Sequence, residues 1–168
     1  VVIKADSKKI IHKSDVGGVA VNIKNGSKVR EVVSRMQKDL YEDDLKYFIQ
    51  KCMPKATEII ISAKKEEGLG HLIMFGLGGI FVELFKDVVF SISPITDVEA
   101  EEMLTGIKAA PLINGFRGEK GIHRIKTIEV MQRISMLVND FPEIKELDIN
   151  PVFAYEDSVC AVDARIIV

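Results

Sequence analysis

The chain has too few cysteines to be built around disulfides or a thiolate metal site. Of its 168 residues only two are cysteine, Cys52 and Cys160, and they lie far apart in sequence. Disulfide frameworks and zinc knuckles need more cysteines at closer spacing. The chain also lacks a hydrophobic run long enough to span a bilayer and a signal-peptide pattern. These absences favour a cytoplasmic setting and argue against a membrane partner.

The chain also lacks an excess of positive charge. Its formal net charge is −2, whereas a general nucleic-acid binder is usually basic. The hydrophobic content of 47% over 168 residues is enough for one good core, or for a core divided between two lobes. Val1–Lys4 already has the pattern of a strand, with no initiator methionine, and we therefore expect residues upstream of Val1.

The order of the elements favours an α+β fold. Strand patterns outnumber helix patterns and do not alternate regularly with them, unlike in a doubly wound parallel sheet. Helical apolar spacing follows Asn25, and again follows Asp97, which we expect to cap a helix. A third helix carries an apolar stripe from Ile125 to Val138. We expect a smaller lobe over residues 1–55 and a larger lobe over residues 56–168.

The clearest local pattern is a β-hairpin near the end of the chain. If Glu156 and Asp157 form its turn, Tyr155 pairs with Ser158, Asn150 lies opposite Asp163, and Asp148 lies opposite Arg165. Opposed side chains lie close together on one face, so an amide, two carboxylates and a guanidinium gather there. Such oxygen ligands suit a Mg²⁺ that substrate phosphates also hold. The alternatives are a solvated hairpin with one ion pair, or a register slipped by one residue.

Uninterrupted alternation along this hairpin predicts which side chains are buried. They are the apolar residues on the other face, namely Leu147, Ile149, Phe153, Tyr155, Cys160, Val162 and Ile166.

Phosphate-handling candidates lie near the start of the chain. Lys4 ends the first strand, and a polar loop with His12, Lys13 and the pair Gly17–Gly18 follows. Glycines let backbone N–H groups approach an anion while a lysine supplies charge. A neutral imidazole such as that of His12 is a possible nucleophile or base, although a histidine in a loop is more often a bystander.

Further candidates lie in the middle of the chain. The glycine-rich stretch from Met74 to Glu83 lacks the spacing of a dinucleotide fingerprint and suits a close backbone turn beside a ligand or partner. Glu58 is either a ligand of a ribose hydroxyl or metal, or an exposed strand-end carboxylate. Arg117 pairs either with a phosphate or with Glu119.

Together these stretches resemble the nucleotide-binding subunit or domain of ADP-forming acyl-CoA synthetases, which has an ATP-grasp fold. The resemblance covers Val1 to Val168. The matching stretches, in chain order, are Ile11–Val19, Met74–Glu83, Arg117–Gly118, Glu146–Pro151 and Val162–Arg165. This family normally has several dozen residues before the position of Val1.

The resemblance implies a role for each group of residues. His12 matches a histidine that accepts phosphate from a partner-subunit phosphohistidine and passes it to ADP, while Asn150 and Asp163 match Mg²⁺ ligands. Gln50 to Met53 matches the segment between the lobes, where the family binds adenine. The residues expected to bind nucleotide or phosphate are Lys4, Lys13, Gly17, Gly18, Gln50, Met53, Glu58 and Arg165.

The reaction that this resemblance implies is acyl-CoA + ADP + phosphate ⇌ acid + CoA + ATP, with Mg²⁺ and ATP or ADP bound by this chain. The partner would be a CoA-binding α subunit or domain carrying the other phosphohistidine, in an α2β2 assembly. Two alternatives stay open: a non-catalytic regulatory ATP-grasp-like module, and a succinyl-CoA synthetase-like β subunit. His12 argues against both, because a sensor needs no phosphate acceptor and the succinyl family has no histidine in this loop.

Overall fold

The protein, described here from a computed structural model, forms two compact units, Val1–Pro54 and Lys55–Val168. The structure describes residues 1–7, 10, 13, 15–41, 44–79, 86–118 and 120–168. All strand pairings among these residues are antiparallel, and the predicted α+β class is confirmed. Among the helices in these ranges, none has both the length and the apolar character needed to cross a membrane.

The first unit is a small sheet packed against one helix. Strands β1 (Val2–Asp6), β2 (Val19–Ala20) and β3 (Lys46–Gln50) lie in the order β2-β1-β3, and helix α1 spans Gly26–Leu40. The Asn25 side chain accepts a hydrogen bond from the Lys28 N–H at 2.9 Å and so caps α1. Val32 and Met36, one turn apart, pack with Ile3 in the core of this unit.

The second unit is a six-stranded sheet with helices packed on it. Its strands are β4 (Thr57–Glu66), β5 (Gly70–Leu77), β6 (Val88–Ile92), β7 (Glu146–Ala154), β8 (Val159–Ala161) and β9 (Arg165–Ile167). The order is β6-β5-β4-β7-β8, and β9 also pairs with β7. Its helices are α2 (Asp97–Gly106), α3 (Ala110–Asn114) and α4 (Arg124–Asp140).

Two helix predictions need correction. The cap of α2 is Thr96 rather than Asp97: Thr96 and Glu99 form a reciprocal capping box, and the hydrogen bonds from the Thr96 backbone and side chain lower the pKa of Glu99. Ile125 does not belong to the buried stripe of α4, because it is 74% exposed, whereas Met131 and Val138 are buried. The short helix α3 was not predicted.

The hairpin has the predicted register, but its predicted buried face is correct only up to Ile149. On β4, Ile59 pairs with Val152 and Ile61 pairs with Ile149, so Asn150 and Pro151 together lie opposite one residue. This β-bulge reverses the inward and outward alternation of β7 at that point. Leu147, before the bulge, and Val152 and Ala154, after it, are therefore buried.

The prediction that Phe153 and Tyr155 lie on the buried face is wrong for this reason. Both side chains are only half-buried and meet edge to face, with ring centroids 6.5 Å apart. Cys160 and Val162 are also half-buried, and Ile166 is 55% exposed.

Candidate functional sites: a glycine loop in the first unit and an acidic hairpin in the second

Lys4 lies on the face of the first sheet that α1 does not cover. Its neighbour Ile3 packs with α1, so strand alternation places Lys4 on the opposite face, across from Val19 on one side and Phe48 on the other. The side chain is only 6% exposed. A charged group at this depth needs an interaction partner, and a strand holds it in a fixed position.

The Gly17–Gly18 loop is hydrogen-bonded to β1 at the residue next to Lys4. The Ala5 N–H donates to the Gly18 carbonyl oxygen at 2.7 Å, and the Gly18 N–H donates to the Lys13 carbonyl oxygen at 2.7 Å. A Cβ on Gly18 would lie 2.9 Å from that Lys13 oxygen, so only glycine fits there without a shift. Lys4, Lys13, Gly17 and Gly18 therefore come together within the first unit, as a cationic glycine loop requires.

Four other positions singled out in the sequence stay predictions. His12 lies outside the described residues, as does Glu83. Gln50 pairs with Val2 at the end of β3, and Met53 follows in a segment without regular structure, just before the boundary between the two units. The adenine-binding role of Gln50 and Met53 is therefore a proposal.

The hairpin keeps the same register before and after the irregular segment at residues 162–164. The Tyr155 N–H donates to the Ser158 carbonyl at 2.8 Å, and the Val162 N–H donates to the Pro151 carbonyl at 3.0 Å. Beyond that bond, Asp148 pairs with Arg165. The same count places Asn150 across from Asp163, between the two observed pairings, as the sequence predicts.

Carboxylates gather around this part of the hairpin. Desolvation by burial raises the pKa of Asp148, the nearby Glu146 and Asp163 carboxylates raise it further, and only the Arg165 guanidinium opposes them. Arg165 Nη1 lies 4.0 Å from Glu146 Oε1. Because this guanidinium is shared among several carboxylates, the local field favours a further cation.

Glu58 lies beside the glycine-rich turn that follows β5. Its carbonyl oxygen accepts a hydrogen bond from the Gly78 N–H at 2.8 Å. A Cβ on Gly79, whose φ is +61°, would lie 2.8 Å from Glu58 Oε2. The two glycines therefore allow this turn to approach the exposed Glu58 carboxylate closely.

The sheet of the second unit also has a cavity that sequence reasoning did not identify. Its volume is about 650 Å³, and its walls include Ser62, Met74, Phe90 and Asp148. Ser62 pairs with Asp148 across β4 and β7. The only sequence signal was the alternation of polar residues along β4, which does not identify the neighbouring strand.

The oxygen donors of the hairpin suit a Mg²⁺ ion that substrate phosphates also coordinate. Among the described residues no three His, Cys, Asp or Glu side chains group to hold a metal ion. Asn150 and Asp163 instead offer one amide oxygen and one carboxylate. Mg²⁺ keeps several waters and takes substrate phosphate oxygens, so a two-residue protein contribution is chemically sufficient.

Comparison with known proteins defines the class of the fold. A family model described as an ATP-grasp domain matches residues 1–168. The chain is similar to acetate–CoA ligase [ADP-forming] I subunit beta of Pyrococcus furiosus, at 45% identity over 99% of this chain and 74% of that protein. It is similar to 4-hydroxybutyrate–CoA ligase [ADP-forming] of Nitrosopumilus maritimus, at 45% identity over 93% of this chain and 23% of that protein.

A solved structure gives the same result. Dinucleotide-forming acetyl-coenzyme A synthetase 1 of Ca. Korarchaeum cryptofilum superposes with a TM-score of 0.91 at 36% identity, covering 99% of this chain and 75% of that chain. The chain belongs to the ATP-grasp family, as the β subunit or domain of ADP-forming acid–CoA ligases.

Proposed function

We propose that this chain binds ADP with Mg²⁺ and transfers to it a phosphoryl group from a phosphohistidine of its partner, by way of His12. The main support for this proposal is the hairpin. Its continuous register pairs Asp148 with Arg165 and places Asn150 across from Asp163. A purely structural hairpin has no need for an amide and several carboxylates around one guanidinium. This arrangement supports a site for a metal-bound nucleotide.

The first unit holds the proposed phosphate-binding residues. Lys4 and Lys13 neutralise phosphate charge, and the Gly17–Gly18 loop lets peptide N–H groups approach the phosphates. Lys4 is held on a strand and Gly18 is hydrogen-bonded to that same strand, so charge and loop keep a fixed relation. Fixed donors stabilise a phosphoryl group without reorganising during transfer.

The second unit holds the proposed oxygen ligands of the metal. Asn150 and Asp163 would hold Mg²⁺, which when bound supplies charge neutralisation across the transferring phosphates. Arg165 keeps Asp148 and Glu146 in place beside this pair and is itself available to phosphate oxygens. Glu58 binds the ribose hydroxyls or the metal. Gln50 and Met53, which belong to the first unit, bind adenine.

His12 accepts and releases the phosphoryl group. In the first step the partner's P–N bond breaks as a P–N bond to His12 forms. In the second step that bond breaks, and a P–O bond forms to the terminal phosphate oxygen of ADP. A relay of this kind separates one long transfer into two short in-line transfers.

The solved relatives support such a relay. The Korarchaeum enzyme has been solved with coenzyme A and Mg-AMPPCP, its phosphohistidine segment pointing towards the nucleotide binding site. For this chain we accordingly infer a CoA-binding α subunit or domain that carries the first phosphohistidine, in an α2β2 assembly. That partner would also select the acyl group.

The test is to label the chain and its partner with phosphate under turnover from acyl-CoA. Wild type should acquire an acid-labile, alkali-stable label on this chain, located at His12 by mass spectrometry. His12→Ala and His12→Gln should both lose the label and ATP formation while still binding nucleotide, because neither side chain accepts a phosphoryl group.

The matched control is His123→Asn. His123 caps α4 through its Nδ1 atom, which accepts from the Lys126 N–H at 3.3 Å, and asparagine preserves that capping function. This variant should keep both label and activity. Comparable ATP formation by the His12 variants would show that transfer to ADP is direct.

A further inference from the structure

A second cavity, whose charged lining residues are mostly cationic, lies in the larger unit, and the proposed reaction does not use it. It has a volume of about 440 Å³ and lies between the end of α3 and the start of α4. Two buried isoleucines, Ile113 and Ile122, contribute to its lining. Its charged lining residues are Arg117, Lys120, Arg124 and Glu156. We call this cavity the Arg117 pocket.

Two of the three cations are fixed by neighbours. Lys120 Nζ lies 2.7 Å from Glu156 Oε1. The guanidinium of Arg124 donates to the side chains of Asn114 and Glu101. These contacts orient the wall of the pocket and, among the residues that the structure describes, leave Arg117 without a compensating carboxylate.

Arg117 differs from the other two cations. Its guanidinium carbon lies 5.2 Å from the centroid of the Phe116 ring, and no carboxylate among the described residues forms an ion pair with it. Stacking on an aromatic ring leaves the N–H edge of a guanidinium open to an anion. Arg117 is therefore the group best able to bind an anion in this pocket.

The backbone around Arg117 is held in an uncommon conformation. Arg117 has φ of +52° and Gly118 has φ of +87°, both in the left-handed region. A non-glycine residue there costs free energy and is often found where a loop binds a ligand. Within the described part of the chain no carbonyl accepts from the N–H groups of Phe116, Arg117 or Gly118.

The loop is also closed tightly at its other end. The Ile122 N–H donates to the Ile113 carbonyl at 2.9 Å, and a Cβ on Gly121 would lie 2.6 Å from that oxygen. The loop ends are thus fixed before any ligand arrives. Preorganised donors bind an anion at lower entropic cost than mobile surface lysines do.

We propose that the Arg117 pocket binds the phosphate group of a small molecule, at a site separate from the metal-binding hairpin residues. The guanidinium of Arg117 provides paired donors that match two phosphate oxygens. The N–H groups of Phe116, Arg117 and Gly118, which no carbonyl of the described residues engages, supply further donors. The buried side chains of Ile113 and Ile122 give the pocket an apolar floor, which suits a small ligand.

The test is a titration of the isotope-labelled full chain, with backbone amide resonances as the readout. The probes are inorganic phosphate and glycerol 3-phosphate, with sodium chloride as the ionic-strength control. The amides of residues 115–121 should shift saturably with at least one phosphate probe and not with chloride. Whichever probe binds more tightly shows whether the pocket prefers free phosphate or a phosphate ester. Because each amide is observed separately, binding in this pocket is distinguished from binding at the Gly17–Gly18 loop.

Arg117→Ala should lower the phosphate affinity measured from these amides about tenfold. This corresponds to the loss of roughly one charge-assisted hydrogen bond. Arg133→Ala is the matched control, because Arg133 is an exposed α4 arginine paired with Glu129 and lies outside the pocket. It should leave the affinity unchanged.

Three results would overturn the proposal. These are the absence of a saturable shift at residues 115–121, an unchanged affinity in Arg117→Ala, and binding that appears only in Glu119→Gln. The last would mean that Glu119 neutralises Arg117 in the native chain. Loss of partner co-purification in Arg117→Ala without any phosphate response would assign the loop to a protein interface instead.

Discussion

Replacing Val152 by alanine should destabilise the second unit more than replacing Phe153 does, although phenylalanine is the larger side chain. The β-bulge at Asn150–Pro151 buries Val152 completely and leaves Phe153 half-buried. Val152→Ala removes two methyl-sized groups, at about 0.8 kcal/mol each. The unfilled space adds up to about 1 kcal/mol, for a total of about 2–3 kcal/mol.

Phe153→Ala should cost about 1 kcal/mol, mainly from the edge-to-face contact with Tyr155. Uninterrupted alternation would instead make Phe153 a core residue, whose truncation costs about 3–5 kcal/mol, and would leave Val152 close to neutral. The bulged strand and the regular strand therefore predict opposite orders for the stabilities of Val152→Ala and Phe153→Ala.

The assay is urea unfolding followed by circular dichroism, together with hydrogen exchange of peptides from β4 and β7. Hydrogen exchange reports on the second unit separately, which matters because the two units need not unfold in one step. A larger loss of stability for Phe153→Ala than for Val152→Ala would refute the bulge.

Three further predictions concern the site. Asp163→Asn should weaken Mg²⁺-dependent nucleotide binding and slow ATP formation about a hundredfold or more with the fold intact, and near wild-type turnover at limiting Mg²⁺ would contradict the assignment. Since burial raises the pKa of Asp148, folding stability should fall as pH rises from the ordinary aspartate range through that raised pKa. Asp148→Asn should therefore be more stable than wild type at neutral pH and equal to it below about pH 3, as measured by urea midpoints. Gly78→Ala should cost about 1–3 kcal/mol in urea unfolding because its Cβ would lie 3.2 Å from the backbone of Glu58, whereas Gly26→Ala, with open space around it, should be neutral or stabilising.

Local chemistry was enough to predict the register of the hairpin. Glu156 and Asp157 lie between two alternating runs, and a turn at these residues predicts every later pairing down to Asp148 and Arg165, as observed. The capping of α1 by Asn25 and the cationic glycine loop near Lys4 are likewise features of neighbouring residues. The resemblance of ordered motifs to one family is confirmed by the comparisons.

Only the tertiary structure decided which side of the hairpin is buried. Alternation along β7 predicts Phe153 inside, but the strand must pair with β4 as well as with β8 and β9, and the extra residue at Asn150–Pro151 reverses its faces. The approach of the Gly78–Gly79 turn to Glu58 also depends on the pairing of β4 with β5. A sequence specifies contacts between near neighbours directly, whereas the choice of neighbouring strand and the position of a bulge follow from how the whole core packs.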